Sequence, residues 1–349
     1  MVRANQERGR YRRVAEQPFE EEGKMVRTLW VALGSALSLL SPAQAQNWPS
    51  KPITMMVSFT AGSSIDVAGR ILAARMAEIL GQSIVIENVG GAGGMVGAAR
   101  VAKGAPDGYQ ILFGNSATQT YSQSLYKAPL YNAATEFAPI ALVAETPPVL
   151  IARNDLPVNN LKDFIAYTKT NQSKLHYGSA GGGSASHLAC VLLNATIGAG
   201  GVTHVPYRGG PQAMADLIGG RIDYWCPLAA SAVPQIEGKT VKAIAMMSRQ
   251  RLGLLPTLPS AHEQGLANFD ASSWYGIFAH RSTPAPILQK LHAATVAALD
   301  TPSLQKQMTD VGADVVAANR RSPEYLQAFV ENDIKMWAEI IKKAGITPE

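Results

Sequence analysis

Two stretches of small residues hold the chemistry this sequence offers. Thr60-Ala61-Gly62-Ser63-Ser64-Ile65-Asp66 stands between an apolar β-branched run and a helical stretch. Small side chains let backbone N–H groups approach a ligand, and a helix start adds unpaired donors and a positive dipole end. That combination suits a carboxylate or a phosphate. Ser63 with Asp66 three residues on also reads as a capping pattern, but capping does not require the small-residue loop before it. Gly178-Ser179-Ala180-Gly181-Gly182-Gly183-Ser184-Ala185-Ser186-His187 repeats the arrangement. Three consecutive glycines cost chain entropy unless something must approach the backbone. Two such loops facing each other would grip one anion from both sides.

The candidate ligand-binding residues are therefore Phe59, Thr60, Ala61, Gly62, Ser63, Ser64 and Asp66, then Ser179, Ala180, Gly181, Gly182, Gly183, Ser184 and His187. Ser116, just past the third expected strand, joins them, as does Arg208 in Tyr207-Arg208-Gly209-Gly210-Pro211. Arg208 could reach a second acidic group on the ligand, although a surface salt bridge is the plainer reading. His187 lies one turn into its helix, where packing or capping competes with ligand contact. Trp274 and Tyr275 read as interlobe packing.

Positioning these loops requires alternating strands and helices around mostly parallel sheets. Strands are expected at 53–59, 83–87 and 109–113, with a helix over 64–80 whose apolar face is Val67, Ile71, Leu72, Met76, Ile79 and Leu80. An extended segment over 138–153, broken by Pro147-Pro148, leads to a second set of units. These are helices 161–170, 184–197, 211–219 and 231–237, and strands 175–180, 202–207, 222–228 and 241–247. A second extended segment, 270–280, and helices 284–300, 302–311 and 323–344 close the chain. The expected fold is α/β and two-lobed, with two crossing segments. Lobe one spans 46–148 and 272–349, lobe two 149–271. Ligands of open α/β sheets sit beyond the carboxyl ends of the strands, here the cleft between lobes.

With 349 residues, 47% hydrophobic and 16% charged, the chain can build two cores. A net charge of +5 without basic runs argues against nucleic-acid binding. Met25-Val26-Arg27, an apolar run to Leu40 and Ala43-Gln44-Ala45 read as a signal peptide over 25–45, cleaved after Ala45, with 1–24 a gene-model extension. Periplasmic export follows. Cys190 and Cys226 could pair or stay as buried thiols. Zinc spacing, a Walker loop, a dinucleotide fingerprint and the Gly-x-Ser-x-Gly elbow are all absent from the sequence.

Several ordered motifs carry a resemblance. Trp48-Pro49-Ser50-Lys51-Pro52-Ile53, Val85-Ile86-Glu87-Asn88 with Gly91-Ala92-Gly93-Gly94, and Ala105-Pro106-Asp107-Gly108-Tyr109 come first. Tyr177-Gly178-Ser179-Ala180-Gly181, Val205-Pro206-Tyr207-Arg208-Gly209 and Trp274-Tyr275-Gly276 follow. Together they make the chain resemble the Bug/TctC family, extracytoplasmic solute receptors of tripartite tricarboxylate transporters. The resemblance implies a type II periplasmic-binding-protein fold closing on a small carboxylate. It also implies a membrane permease as partner. The family holds the carboxylate with loops corresponding to Thr60–Asp66 and Ser179–His187, often with ordered water. Ser63 departs from a common glycine and Ile65 from a common threonine, which leaves aromatic or longer dicarboxylates open. The expected receptor is monomeric, with no cofactor, metal or nucleic acid. The rival readings are an exported serine hydrolase acting on a small ester in the cleft, and a ligand-sensing partner of a surface signalling protein.

Overall fold

A computed structural model describes residues 48–343 together with Gly345, Ile346 and Pro348; the expected extension and signal peptide lie outside the described residues. The first sheet begins with β1 (Ile53–Val57), whose side chains are nearly all buried because it lies between β2 (Ile84–Asn88) and β3 (Gln110–Asn115). Both neighbours run parallel to it. Helix α1 (Ser64–Leu80) links β1 to β2 and stops at Gly81, whose φ of 67° a β-carbon would oppose. Helix α2 (Met95–Ala102) links β2 to β3. After β3 the chain makes a π-turn over Ala117–Tyr121 that runs into α3 (Ser122–Leu125). Sequence periodicity gives no sign of this segment. It is built from buried Thr118, Gln119 and Thr120 rather than from an apolar stripe.

Strand β4 (Phe137–Thr146) leaves the first sheet and β5 (Val149–Ala152) enters the second. There follow α4 (Leu161–Asn171), β6 (His176–Ser179), α5 (Ala185–Ile197), β7 (Thr203–Pro206), α6 (Gly210–Ile218), β8 (Tyr224–Trp225), α7 (Ala229–Glu237) and β9 (Lys242–Met246). The return is β10 (Ser273–His280), after which come α8 (Ala285–Leu299), α9 (Pro302–Asp310), β11 (Asp314–Val315) and α10 (Pro323–Lys343). Strand orders are β11-β4-β10-β3-β1-β2 and β7-β6-β8-β5-β9. The result is a two-lobed, mixed α/β fold. Each sheet has a parallel part, β2-β1-β3 or β7-β6-β8, and antiparallel strands added where the chain crosses. A strand arriving from the other lobe enters from the far end, so it runs against its neighbours.

The second lobe has apolar clusters on both faces of its sheet, one around Phe164, Leu193 and Tyr224, the other around Ile151, Leu217 and Trp225. Cys190 of α5 and Cys226 after β8 form a disulfide within the first cluster, with α-carbons 5.6 Å apart. The closing helices pack on the first sheet. Buried Asp333 of α10 accepts from Trp274 Nε1 and Thr120 Oγ1, each at 2.9 Å, and Trp337 meets Tyr121 edge-on at 4.5 Å. Burial raises the Asp333 pKa, and these hydrogen bonds oppose the rise.

Candidate functional site

One cavity lies between the two sheets. It is lined by Phe59, Ser63, Ser64, Ile65 and Asn115 from the first lobe, and by Ala180, Ser184, Ala185, Ser186, Gly210, Trp225, Leu228 and Ser231 from the second. These positions have a common feature. Ser63, Ser64 and Ile65 open α1, Ser184, Ala185 and Ser186 open α5, Gly210 opens α6, and Leu228 with Ser231 belong to the start of α7. Four helix first turns thus meet at one space; a helix start leaves its first N–H groups without a carbonyl of its own helix, although in α7 Ala229 N–H donates to the Pro147 carbonyl and Ser231 N–H to that of Leu228. Each also places a partial positive charge there. The lining contains no Lys, Arg, His, Asp or Glu.

Two buried donors in this lining have no partner, Ser63 Oγ and Trp225 Nε1. Ser63 is the N-cap residue of α1, yet its hydroxyl makes no cap bond. Ser184, by contrast, caps α5 by accepting from the His187 N–H at 3.3 Å.

The remaining candidates shape the loops. In the first loop Asp66 is buried and accepts from Gly62 N–H (2.8 Å), Arg70 Nε (3.0 Å) and Asn88 Nδ2 (2.9 Å). Burial pushes its pKa up, but Arg70, Gly62 and Asn88 outweigh that and hold it below the usual carboxylate value. Its carboxylate therefore fixes the turn at Gly62, where φ is 77°, and stands outside the lining. Ala61 is exposed, and Thr60 faces the second lobe.

In the second loop Ala180 N–H donates to Ser186 Oγ, Gly181 N–H to Ser179 Oγ, and Gly183 N–H to His187 Nδ1, all at 3.0–3.1 Å. The glycine run thus spends most of its donors on its own side chains. His187 stacks on His204 at 4.1 Å, and His204 stacks on Tyr177 at 4.9 Å. Burial, with His204 nearby, pulls the His187 pKa down to about 3, and burial pulls His204 to about 4. Both rings are neutral supports. Ser116 Oγ bonds Ser273 Oγ of the returning strand, and Arg208 is exposed outside the lining.

Contacts across the cleft join the lobes. Ser64 Oγ and Ser231 Oγ lie 2.7 Å apart, and Tyr126 OH reaches the Gly182 carbonyl at 3.5 Å. A β-carbon on Gly93 would sit 2.8 Å from the Gly182 oxygen, and one on Gly209 would sit 2.0 Å from Thr60 Oγ1. The cleft is closed. Of the candidates, the structure brings Phe59, Ser63, Ser64, Ala180 and Ser184 to the cavity wall. Ile65, Asn115, Ala185, Ser186, Gly210, Trp225, Leu228 and Ser231 were not singled out as ligand contacts. The helix-start pattern that marked the first two loops also marks Gly209-Gly210-Pro211.

A serine–imidazole pair does exist. Ser179 Oγ lies 2.7 Å from His204 Nε2, but Ser179 is fully buried outside the lining and the imidazole is a weak base. Among the described residues no group of three His, Cys, Asp or Glu could hold a metal ion.

Comparison with known proteins agrees with this architecture. Residues 68–346 match the family model TctC, described as the tripartite tricarboxylate transporter family receptor. The chain belongs to the TctC receptor family. It is 37% identical over 304 residues to a UPF0065 protein from the TAR-I ttuE-ttuC' intergenic region of Agrobacterium vitis, covering 87% of each chain. Among solved structures it is similar to the periplasmic binding protein BugD, with 39% identity and a TM-score of 0.83 over 86% of this chain and all of that one. It is also similar to MatC of Rhodopseudomonas palustris with bound malate, at 36% identity and a TM-score of 0.81, covering 84% of this chain and all of MatC. The family description makes the chain a solute-binding receptor of a transporter family.

Proposed function

We propose that this chain is a periplasmic receptor that captures a small carboxylate between its lobes and hands it to a tripartite tricarboxylate-type permease. The observation that carries this reading is the cavity where four helix first turns meet two unpartnered buried donors and no charged side chain. A helix start favours an anion by about 0.3–1 kcal/mol, and by up to about 2 kcal/mol when partly buried. A buried donor left unmet costs about 1–3 kcal/mol. A carboxylate oxygen recovers both terms at once, and an acidic side chain in the lining would have repelled it. The malate bound to MatC supports the carboxylate class.

Ser63 and Ser64 hold the ligand from lobe one, taken as 46–148 and 272–349. Ser184 and Ser186 hold it from lobe two, taken as 149–271. Asp66, Ser179 and His187 keep the two loops in shape. Closure is a hinge motion about the crossings near 148 and 272. The signal peptide directs export and is cleaved after Ala45. The receptor works as a monomer without cofactor or metal, and the permease supplies the transport step.

A thermal-shift screen of the chain from Gln46 against mono-, di- and tricarboxylates, aromatic ones included, tests this. Binding to the native state adds about 2.7 kcal/mol at a hundredfold excess over Kd. A dose-dependent rise with one acid and none with its methyl ester is the expected result. No rise with any acid, or ester turnover abolished by Ser184→Ala, overturns the proposal.

A further inference from the structure

We infer that Trp225 is a specificity-determining residue, whose indole N–H donates to a second oxygen of the bound acid. The inference rests on the carboxylate-receptor reading and adds what the far end of the ligand must carry. Trp225 is 1% exposed and ends β8, one residue before the Cys226 half of the disulfide. Its ring packs among Ile151, Leu217 and Ala229. The Cη2–Cζ2 edge faces Gly210, where a β-carbon would lie 3.4 and 3.9 Å from those atoms and 3.8 Å from Ser231 Oγ. Trp225 lines the cavity together with Gly210 and Ser231.

An indole N–H can only donate, and Nε1 finds no acceptor among the described residues. The nearby Ser231 hydroxyl is already engaged with Ser64 across the cleft. Ser63, the other unpartnered donor, belongs to the opposite lobe. An acid that satisfies both donors must carry oxygen at two places: a carboxylate for the Ser63 side, and a hydroxyl, oxo or second carboxylate group for Trp225. A plain-chain acid of equal length leaves the indole N–H buried and unmet. From the usual cost of such a group, that acid binds about fivefold to a hundredfold more weakly.

The test is calorimetric titration of the chain from Gln46 with butanoate, 4-hydroxybutanoate and butanedioate. The wild-type protein is expected to bind at least one oxygen-bearing acid roughly tenfold or more tighter than butanoate. In Trp225→Phe, which keeps an aromatic ring and loses the donor, that ratio falls to near one. Because the ring also packs in the core, β-(3-benzothienyl)alanine at position 225, with sulfur in place of N–H, repeats the test at constant shape. An unchanged ratio in the benzothienyl protein, or equal loss for all three acids, overturns the role of Trp225 and leaves the receptor reading standing. No binding of these acids or of any in the wider screen overturns both.

Discussion

Ser63 occupies a capping position and caps nothing. Its buried, unpaired hydroxyl is a cost in the empty receptor that a ligand oxygen would remove. Ser63→Ala should therefore raise Kd for the bound acid about tenfold while the melting temperature of the free protein holds or rises. A drop in melting temperature with unchanged Kd would contradict this. The His187–His204 stack makes a separate prediction about acid. Both folded-state pKa values, about 3 and about 4, lie below the unfolded value of about 6.5. The unfolded chain thus takes up protons first. The stability these neutral rings contribute is present above pH 6.5 and is lost as pH falls toward 4. The slope is at most about 1.4 kcal/mol per pH unit per proton, and less for the part-exposed His204, which water screens. Urea midpoints at pH 7.5 and 5 should differ in the wild type and converge in a His187→Gln, His204→Gln double variant. Ser63 and Ser184 were legible in the sequence because a small-residue loop before a helix advertises itself. Trp225 and Ser231 were not, since only the folded topology brings them opposite Ser63 and Ser64.

At the scale of elements, most strand and helix positions followed from hydrophobic period, and the departures have local causes. The strand expected over 222–228 shrinks to Tyr224–Trp225 because Pro227 cannot donate to a ladder. Of the expected apolar face of α1, Leu72 and Met76 are buried, but Val67, Ile71 and Leu80 are only half-buried and Ile79 is exposed; Ile65, Ala68, Gly69 and Ala73 complete the buried face. Small residues let this helix approach the sheet, where a β-carbon on Gly69 would lie 3.0 Å from Phe113. Periodicity weighs side-chain size, so it drew the stripe through the larger residues. The question of the cysteines is settled by the disulfide, which braces α5 against the end of β8 and so ties the Ser184–Ser186 wall to Trp225. Replacing both cysteines by alanine should lower stability by about 2–4 kcal/mol, read as a shift in denaturant midpoint. An unshifted midpoint would show that packing alone holds that wall.

The whole molecule presents two lobes in contact across a closed cleft that encloses a cavity, which is the geometry a ligand would stabilise. The two-lobed class was legible because the strand–helix alternation restarts after Pro147-Pro148. The closeness of the lobes was not, because it depends on glycines that touch one another only in the folded chain. Gly209 has an extended φ of 179° that any residue adopts, so an added methyl strains nothing locally. It would instead meet Thr60 of the other lobe at 2.0 Å. Gly209→Ala should leave the melting temperature of the free protein nearly unchanged and weaken the acid by tenfold or more, roughly the effect of losing one good contact. Thr60→Gly in the same chain should restore much of that loss, and a purely additive double variant would deny the contact. The proposed receptor holds its anion with helix first turns and neutral donors and without a cationic side chain. This is tested most directly by titrating the best acid and its primary amide into the same protein. The acid should bind, and the amide, equal in shape but uncharged, should bind about a hundredfold more weakly or not at all. Equal affinity for the two would contradict this mode of binding.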